Sequence, residues 1–544
     1  MISLKKADKV KTLADMHSVF KLDDHNSAID ASKLFQRLLV VAHSDRSCNM
    51  SSAFEYELTV YPTSLFRDGM MRKPDKPNLF RNCLAGMTPA ALPHDVFYVI
   101  DGGCLLHKVR WLKGQTVGQL LNQYSAFIQR RFHGQACVVF DGYTGEPSIK
   151  DHEHARRTAA VSRVAPNVQM EPHSTVMFEQ ESVLANDGNK QQLISMLAHH
   201  LKAHNIEAKV SAGDADVDIA ATALELAQHD RKPVAVYAED TDILALLVHH
   251  RQPHMNVFME YDRKTASQPH GRCIDINALQ SCLGSDICQN ILVLHAFGGC
   301  DTTSAIYGHG KGSILTRLCQ NTQVAVHTAS LQSPNATVDA VKEAGVALMV
   351  ALYSGKEGDD LSALRYSAYC KMAVAKGGSF LADRLPPSTN AAELHSLRVH
   401  LQAVFWKSLG KVLLPASKWG WRLHRSKLQP IAMTQQPGPP HLMSVIRCNC
   451  TTHCRTQHCS CRKNRLKCIE ACGHCHGVDC DNVELVSESN VESDTSDAEI
   501  DIMDGDSRWH SKETVDSDDR SQRMGSDFFF DVDMCMSFAD EEVV

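Results

Sequence analysis

An α/β fold with a central, mainly parallel sheet is predicted by two features of the sequence. Three short runs of apolar, β-branched and aromatic residues, 96–100, 136–140 and 234–238, each end at an acidic residue and are typical of buried strands. Stretches with helical spacing lie between them, including VGQLLNQYSAFIQRRF and KQQLISMLAHHLKAHN. This alternation of strand and helix is typical of a parallel sheet flanked by helices.

Aspartates at the ends of the predicted strands form the first candidate site. Asp101 and Asp141 follow the first two runs, and Asp240 and Asp242 follow the third together with Glu239. Because the carboxyl ends of parallel strands line one crevice, acids far apart in the sequence are expected to meet there. Clustered carboxylates repel one another unless cations neutralise them, and their oxygen ligands suit Mg²⁺ or Mn²⁺.

Two further segments supply acids. DADVDIAATALELAQ contains Asp214, Asp216 and Asp218, and GGCDTTSAIYGHGK contains Asp301. Taken singly, an acid at the start of a helix is better explained as an N-cap, and an acid after a strand as part of a turn. Taken together, the ordered set predicts one acidic site.

These segments resemble the PIN-like 5′-nucleases, the superfamily of the flap endonucleases. The likeness is carried by VIDGGCLLH, VVFDGYTGEPSIKDHEHARRT, AGDADVDIAATAL, AEDTDILALL and HAFGGCDTTSAIYGHGKGS, within residues 96–320. It implies a PIN-like domain that hydrolyses phosphodiesters with two divalent ions, Mg²⁺ or Mn²⁺, which activate water and stabilise the leaving oxygen. The acidic positions of the motifs fall on Asp101, Asp141, Asp214, Asp216, Asp240, Asp242 and Asp301.

The match departs from the flap endonucleases in two places. Asp214 and Asp216 stand where that family usually has glutamate, and Asp216 with Asp218 is an alternative register. Residues 1–95 precede the first motif, whereas flap endonucleases begin close to their first strand. Substrate geometry is therefore not carried over from the family.

Basic residues follow the second aspartate at the spacing where the family places cations that polarise the scissile phosphate. The resemblance gives that role to Lys150, Arg156 and Arg157, with a solvated helical face as the alternative. His152 and His154 in the same stretch are expected to be exposed helix residues rather than ligands.

A glycine-rich turn follows the last of these aspartates. Gly308, Gly310 and Lys311 are arranged similarly to the helix-hairpin-helix turn with which these nucleases hold duplex backbone, because glycine lets amide groups approach phosphate. A plain glycine turn is the alternative. A nucleotide-binding P-loop is not supported, since Ala305 and Gly312 stand where that loop requires glycine and Ser or Thr.

The second candidate site is a run of nine cysteines among the 20 in the chain. An odd number in one segment does not suit pairwise disulfides and favours metal ligation. Nine thiolates supply the twelve bonds of three tetrahedral Zn²⁺ ions if three sulfurs each bridge two ions. The predicted ligands are Cys448, Cys450, Cys454, Cys459, Cys461, Cys468, Cys472, Cys475 and Cys480.

This run resembles the tesmin-type CXC domain, a three-zinc DNA-binding module of chromatin proteins. Two CXC steps, the gap after the second and the final CDN carry the likeness, whereas Cys472 and Cys475 enclose two residues where the family has a third CXC. Four histidines are alternative ligands for one site: His453, His458, His474 and His476. The basic residues that can offset the cluster's charge and contact DNA phosphates are Arg447, Arg455, Arg462, Lys463, Arg465 and Lys467.

The net charge of −7 is unevenly distributed. Residues 483–544 hold 19 acidic and 4 basic side chains, which leaves the rest of the chain at +8. This tail is predicted to be disordered, and its three phenylalanines between Asp527 and Asp531 form either a motif for a protein partner or a segment without one. The basic remainder favours a polyanionic partner, and DNA is expected.

The predicted organisation has an N-terminal region without an assigned role (1–95), the PIN-like domain (96–320), a helical extension and linker (321–440), the zinc module (441–482) and the tail (483–544). With neither a long apolar run nor a signal peptide, an intracellular, nuclear protein without membrane association is expected. Two hypotheses follow. The chain is either a Mg²⁺-dependent nuclease tethered to DNA by its zinc module, or an inactive nuclease-like chromatin adaptor with an acidic partner-binding tail.

Overall fold

The computed structural model describes most of the chain. It covers residues 19–22, 25–28, 31–44, 49–142, 147–153, 156, 164–229, 232–261, 272–319, 324–374, 382–451, 453–469, 471–477 and 480–483. Apart from Val483, the predicted acidic tail lies outside the described residues, as do His154 and Arg157. No helix within these ranges combines the length and the apolar character needed to cross a membrane.

Twelve strands are assigned within the described ranges. They are β1 (Val19–Leu22), β2 (His25–Ala28), β3 (Phe66–Arg67), β4 (Met70–Met71), β5 (Phe97–Asp101), β6 (Ala136–Phe140), β7 (Glu207–Val210), β8 (Val234–Tyr237), β9 (Val257–Tyr261), β10 (Arg272–Asp275), β11 (Trp421–His424) and β12 (Lys427–Pro430).

The α-helices with defined bounds precede, connect and follow these strands. They are α1 (Ala31–Ser44), α2 (Met50–Ala53), α3 (Arg81–Gly86), α4 (Gly102–Lys108), α5 (Val117–Phe132), α6 (Gln180–Leu184), α7 (Asp187–Ala203), α8 (Ala215–His229), α9 (Thr241–His250), α10 (Ile276–Leu283), α11 (Ser285–Phe297), α12 (Lys311–Cys319), α13 (Val324–Leu331), α14 (Val338–Leu352), α15 (Leu361–Val374), α16 (Thr389–Lys407), α17 (Pro440–Met443) and α18 (Ser460–Lys463). Short 3₁₀ helices span Lys76–Leu79, Ala382–Arg384 and Ala416–Lys418.

A six-stranded sheet lies at the centre of the fold. Its order is β10-β9-β8-β5-β6-β7, and neighbouring strands are parallel except for the pair β9 and β10 at one edge. Every residue of β6 and β8 is buried, as expected for strands covered by helices on both faces. The predicted α/β fold class, with a central and mainly parallel sheet flanked by helices, is confirmed.

Each face of the sheet packs against its own layer of helices. Ile100 and Val138 face a core that includes residues of α5 and α7. Val99 and Val139, one position away, face the opposite core, built from α8, α9, α11, α14 and α16. Helices of the predicted extension therefore help to cover one face of the sheet.

The N-terminal helix α1 and the cysteine-rich segment share a third apolar core. Leu34, Phe35 and Leu38 pack in one cluster with Ile446 and Cys461. Burial of each such aliphatic or aromatic side chain contributes roughly 1.5–3 kcal/mol. The sequence prediction assigned no role to residues 1–95, and in the structure this region supports the cysteine-rich segment.

Two of the candidate aspartates also start helices. The carboxylate of Asp101 accepts a hydrogen bond from the Gly103 backbone N–H at 2.8 Å at the start of α4. Asp240 accepts one from the Asp242 N–H at 3.0 Å at the start of α9. N-capping holds each side chain at the end of its strand, so the capping role and the site role coincide.

Candidate acidic metal site and cysteine cluster

The structure brings all seven predicted aspartates to one region at the carboxyl ends of the parallel strands. Asp101 ends β5, and Asp141 directly follows β6. Asp240 and Asp242 lie at the start of α9, after β8. The other three, Asp214 and Asp216 at the start of α8 and Asp301 after α11, are joined to this region by the ion pairs described below.

Asp101 and Asp141 approach each other beside Gly103. A Cβ atom built on Gly103 would lie 3.1 Å from an Asp101 oxygen and 3.9 Å from an Asp141 oxygen, so a side chain here would crowd both carboxylates. Burial, together with the charges of Asp141 and Asp240, raises the pKa of Asp101 to about 7, against the opposing effect of hydrogen bonds from backbone N–H groups. This half of the site therefore contains repulsion that a bound cation would relieve.

Lys150 lies between two of the aspartates. Its ammonium group is 2.6 Å from an Asp214 oxygen and 3.2 Å from an Asp216 oxygen. Burial alone would lower the pKa of Lys150, but these two carboxylates hold it well above its ordinary value. Asp218 instead accepts a hydrogen bond from the Ser211 hydroxyl, which favours the register of Asp214 with Asp216.

A second lysine, Lys76, enters the site from the N-terminal region. Its ammonium group lies 3.2 Å from Asp240, 2.9 Å from Asp242 and 2.8 Å from Asp301. The sequence prediction did not include Lys76, because no strand, helix or motif signal marks the surrounding MRKPDKPNLF. Contacts across 164 and 166 residues of sequence place it in the site.

A buried chain of hydrogen bonds supports Asp242 from behind. The Lys311 ammonium donates to His295 Nδ1 at 2.7 Å and to the His295 carbonyl at 2.8 Å. The ring can then donate from Nε2 to Asp242 Oδ1, which is 2.7 Å away. Although burial acts in the opposite direction, Lys76 and His295 hold the pKa of Asp242 well below its usual range.

The position of Lys311 differs from its predicted role in holding a nucleic-acid backbone. Its side chain is buried, with 2 % of its surface exposed, and its amino group faces His295. Burial lowers the pKa of Lys311 to about 7. An amino group enclosed in this way does not reach a phosphate outside the protein, so its role in this structure is to support the acidic site. Gly308 and Gly310 remain exposed, and Gly308 adopts a left-handed φ of 76° that suits glycine.

Two other basic residues of the predicted stretch, Arg156 and His152, contact groups other than the seven aspartates. Arg156 forms an ion pair with the buried Glu153, three residues before it. His152 is partly buried rather than exposed, and its Nε2 accepts a hydrogen bond from the Met71 N–H at 3.2 Å. Arg157 lies outside the described residues.

The arrangement of carboxylates fits a divalent cation. Oxygens of Asp216, Asp240 and Asp242 all lie within 4.8 Å of one another. Neighbouring oxygens around an octahedral Mg²⁺ are about 3 Å apart and opposite ones about 4 Å apart, given metal–oxygen distances of 2.0–2.1 Å. This spacing suits one ion, but the Lys76 ammonium group already lies 3.2 Å from Asp240 and 2.9 Å from Asp242.

The nine predicted cysteine ligands also form one cluster. Cys448 Sγ lies 3.7 Å from Cys454, 3.8 Å from Cys468 and 4.0 Å from Cys475, and Cys461 lies 3.6 Å from Cys472. Sulfurs on a tetrahedral Zn²⁺ at about 2.3 Å are about 3.8 Å apart, so these separations fit shared metal ions and are too long for disulfides.

Cys448 occupies the centre of the cluster. Three sets of four sulfurs, each within 4.8 Å of one another, all include it. The sets are Cys448, Cys450, Cys454 and Cys459; Cys448, Cys459, Cys461 and Cys468; and Cys448, Cys454, Cys468 and Cys475. A sulfur common to several sets is suited to bridge two ions. The four histidines of the segment are exposed, which favours an all-cysteine cluster.

Arg37 of α1 contacts the cluster directly. Its guanidinium donates to Cys461 Sγ at 3.2 Å, to the Ile446 carbonyl at 2.7 Å and to the Lys467 carbonyl at 2.6 Å. Arg37 is buried, with 7 % of its surface exposed, so its positive charge acts on the sulfurs with little solvent screening. The sequence prediction missed this contact, which joins residues 424 positions apart.

Of the six basic residues predicted to contact DNA, Arg447 is buried and the other five fall into two groups. Lys463, Arg465 and Lys467 are exposed beside the cluster. Arg462 instead donates to the carbonyls of Cys454 and Asp481, and the exposed Arg455 pairs with the Asp481 carboxylate. The first group is available for an external anion, whereas the second stabilises the fold of the segment.

Comparisons with known proteins find structural similarity only. No family model and no curated protein matches the chain. Similar structures include the catalytic core of Rad2 with a DNA substrate, at 15 % identity over 45 % of this chain and 67 % of that one, with a TM-score of 0.29. The D15 protein of bacteriophage T5, co-crystallised with metal ions, matches at 14 % identity over 58 % of this chain and 97 % of that one, with a TM-score of 0.29. Human GEN1 with Holliday junction DNA matches at 12 % identity over 64 % of this chain and 86 % of that one, with a TM-score of 0.27.

Proposed function

We propose that the chain is a PIN-like nuclease that hydrolyses nucleic-acid phosphodiesters with Mg²⁺ or Mn²⁺ and is tethered to DNA by a zinc-cysteine module. The observation that carries the proposal is the convergence of seven aspartates from five separate chain segments on one crevice. Caps and turns explain such residues singly but give no reason for them to meet. Buried carboxylates that face one another are costly unless a cation is shared among them.

The residues of the site have different roles in the proposed reaction. Asp101, Asp141 and Asp240 would hold divalent metal, which supplies activation of water and stabilisation of the leaving oxygen. Lys150 is placed to offset charge on the scissile phosphate while it holds the adjoining aspartates. His295 fixes one oxygen of Asp242 and so orients the other oxygen toward the site.

The cysteine cluster is proposed to hold three Zn²⁺ ions in a CXC-type module. Seven of the nine sulfurs belong to sets of four within 4.8 Å of one another, and Cys472 lies 3.6 Å from Cys461. Lys463, Arg465 and Lys467 would supply a positive surface for DNA phosphates. Attachment to chromosomal DNA requires a nuclear location, which is part of the proposal. A protein partner for the acidic tail is also proposed, from its sequence alone.

A nuclease assay tests the function. Purified wild-type chain and a variant with Asp240→Asn and Asp242→Asn are incubated with labelled single-stranded, duplex and flapped DNA and RNA in Mg²⁺. Cleavage by the wild type and loss of cleavage in the variant are expected. Asp286→Asn on the exposed surface of α11 is the matched control and should cut normally.

The second candidate function is a DNA-binding adaptor without catalysis. The ion pairs of Lys76 and Lys150 favour it, because five of the seven aspartates have a partner even without metal. Binding of DNA with no cleavage in either Mg²⁺ or Mn²⁺ would establish the adaptor and reject the nuclease.

A further inference from the structure

Lys76 contacts more candidate metal ligands than any other described lysine or arginine. Its ammonium group is within 3.2 Å of three carboxylates, and 16 % of its side-chain surface is exposed. These carboxylates lie at the ends of a strand and a helix that are far from Lys76 in the sequence. The contact is therefore formed by the tertiary fold and is not an ion pair between sequence neighbours on the surface.

The segment that carries Lys76 is held firmly on its N-terminal side. Arg72 donates to the Thr63 carbonyl at 2.8 Å and to Asp383 at 2.6 Å, and its guanidinium lies 4.6 Å from the centre of the Tyr307 ring. The Arg72 carbonyl accepts from the Ala305 N–H at 3.0 Å. This last bond ties the segment to the loop that contains Asp301.

The segment is also anchored on its C-terminal side. Leu79 and Phe80 are 4 % and 1 % exposed and belong to the core on one face of the sheet. Lys76 is four positions from Arg72 and three positions from Leu79, so the main chain cannot move far without breaking one of these attachments. The ammonium group is thus presented to the site by a fixed backbone.

An ammonium group and a divalent ion compete for the same carboxylate oxygens. Both are cations that bind these oxygens within about 2 to 3 Å, and like charges at such a separation repel strongly in a partly buried site. By contrast, no ion pair joins Asp101 or Asp141 to a lysine or arginine among the described residues, and Lys150 acts on Asp141 only from beyond ion-pair distance. The carboxylates of Asp240, Asp242 and Asp301 are therefore paired with a lysine, whereas those of Asp101 and Asp141 have no ion-pair partner among the described residues.

We propose that Lys76 replaces one of the two divalent ions, so that the acidic site binds a single Mg²⁺ or Mn²⁺ ion. Lys76 is the permanent cation beside Asp240, Asp242 and Asp301, and the metal binds beside Asp101 and Asp141, with Asp240 between the two cations. This inference rests on the proposed nuclease function and changes its metal count from two to one. The N-terminal region then supplies a residue of the active site.

Counting Mn²⁺ ions tests the proposal without an activity measurement. Full-length, zinc-loaded protein is titrated with Mn²⁺, and the free ion is measured by electron paramagnetic resonance. One bound Mn²⁺ is expected for the wild type and two for Lys76→Ala. Lys76→Met, which keeps most of the side-chain stem without its charge, should also bind two.

Lys73→Ala is the matched control, because Lys73 is an exposed lysine of the same segment. It should bind one ion, like the wild type.

Two ions in the wild type would show that metal displaces Lys76 and would overturn the inference, while leaving the nuclease proposal standing. A single ion in folded Lys76 variants would also overturn it. Absence of Mn²⁺ binding in the wild type would remove the nuclease proposal itself. If neither Lys76 variant folds, the wild-type count alone decides between one ion and two.

Discussion

The guanidinium group of Arg37 donates a hydrogen bond of 3.2 Å to the sulfur of Cys461. Through this contact a helix near the start of the chain supports a metal-ligand candidate near residue 460. The same guanidinium binds two main-chain carbonyls of the cysteine-rich segment, so it fixes both the charge and the position of the sulfur.

Arg37→Gln is expected to weaken zinc retention. Glutamine lacks the positive charge and most of the N–H donors of the guanidinium group, so the Cys461 sulfur is less well oriented. Removal of a residue that holds a metal ligand in place typically lowers metal affinity roughly 10- to 100-fold. Zinc release to a chromogenic chelator measures the effect. Arg67→Gln, at an exposed position on β3, is the control and should release zinc at the wild-type rate. Equal release from the Arg37 and Arg67 variants would contradict a role for Arg37 in the cluster.

Cys448→Ser is expected to lose more zinc than a change at any peripheral ligand. Cys448 belongs to all three four-sulfur sets, whereas Cys480 is only partly buried at the edge. Elemental analysis should give about three zinc ions for the wild type and a larger loss for Cys448→Ser than for Cys480→Ser. Cys282→Ser changes an exposed cysteine outside the segment and should retain all the zinc. A wild-type content of one ion or none would reject the cluster.

His295→Gln is expected to lower Mn²⁺ affinity roughly 10- to 100-fold, because the ring holds Asp242 in place, and the main-chain N–H of Asp242 donates to the metal-ligand candidate Asp240. His400→Gln is a stringent control. His400 is also fully buried and hydrogen-bonded to a main-chain carbonyl, but it lies against Leu331, outside the acidic site. Both variants should be less stable to heat, and only His295→Gln should bind Mn²⁺ more weakly. The same loss of affinity in both would assign the effect to general destabilisation.

Asp101→Asn is expected to stabilise the metal-free protein at alkaline pH. The pKa of Asp101 is raised from 3.8 to about 7 by burial and by neighbouring carboxylates, so the folded chain holds this proton more tightly than the unfolded chain does. The free energy of unfolding therefore falls as the pH rises through the interval between these two values, and the loss is complete above it. At pH 8 the variant should gain at most about 4 kcal/mol, and the gain should vanish near pH 4.

Denaturant unfolding in a chelating buffer at pH 4 and pH 8 measures this difference. Asp275→Asn is the control, because Asp275 caps another helix in the same way but lies outside the acidic cluster. It should not become more stable at pH 8. A wild type that is more stable than Asp101→Asn at pH 8 without metal would refute the repulsion inferred for this site.

Replacement of Lys463, Arg465 and Lys467 by glutamine is expected to reduce the salt dependence of DNA binding. If each contacts one phosphate, the slope of the logarithm of the binding constant against the logarithm of salt concentration should fall in magnitude by roughly 2 to 3. The control replaces Arg422, Arg425 and Lys427, three exposed basic residues of the β11–β12 hairpin. Identical slopes for the two triple variants would show that the cysteine module is not the DNA contact.

The sequence was most informative where function depends on residues that follow strands. Asp101, Asp141 and Asp240 were predictable because alternation of strands and helices sets the edge at which they meet. Lys76 and Arg37 were not predictable in this way. Their contacts join segments that are distant in the sequence. The residues around Lys76, which lies between two prolines, and around Arg37, which lies on a helix, form no sequence pattern that indicates the contact partner.

Lys311 shows the opposite error. Its position after two glycines suggested a surface role. In the structure, the helix of residues 285–297 places His295 next to the Lys311 amino group, so the Lys311 side chain is buried. A motif identifies which residues are adjacent in the chain. It does not indicate which side of the turn faces the interior.

The pairing of Arg37 with Cys461 also affects the order of events during synthesis. At a translation rate of about 5 to 20 residues per second, the 424 positions between them correspond to roughly 20 to 80 seconds. Throughout that interval the apolar surface of α1 formed by Leu34, Phe35 and Leu38 lacks its final partner. The nascent chain therefore exposes this apolar surface until residues 446–461 leave the ribosome, and protection by a chaperone during this delay would reduce aggregation.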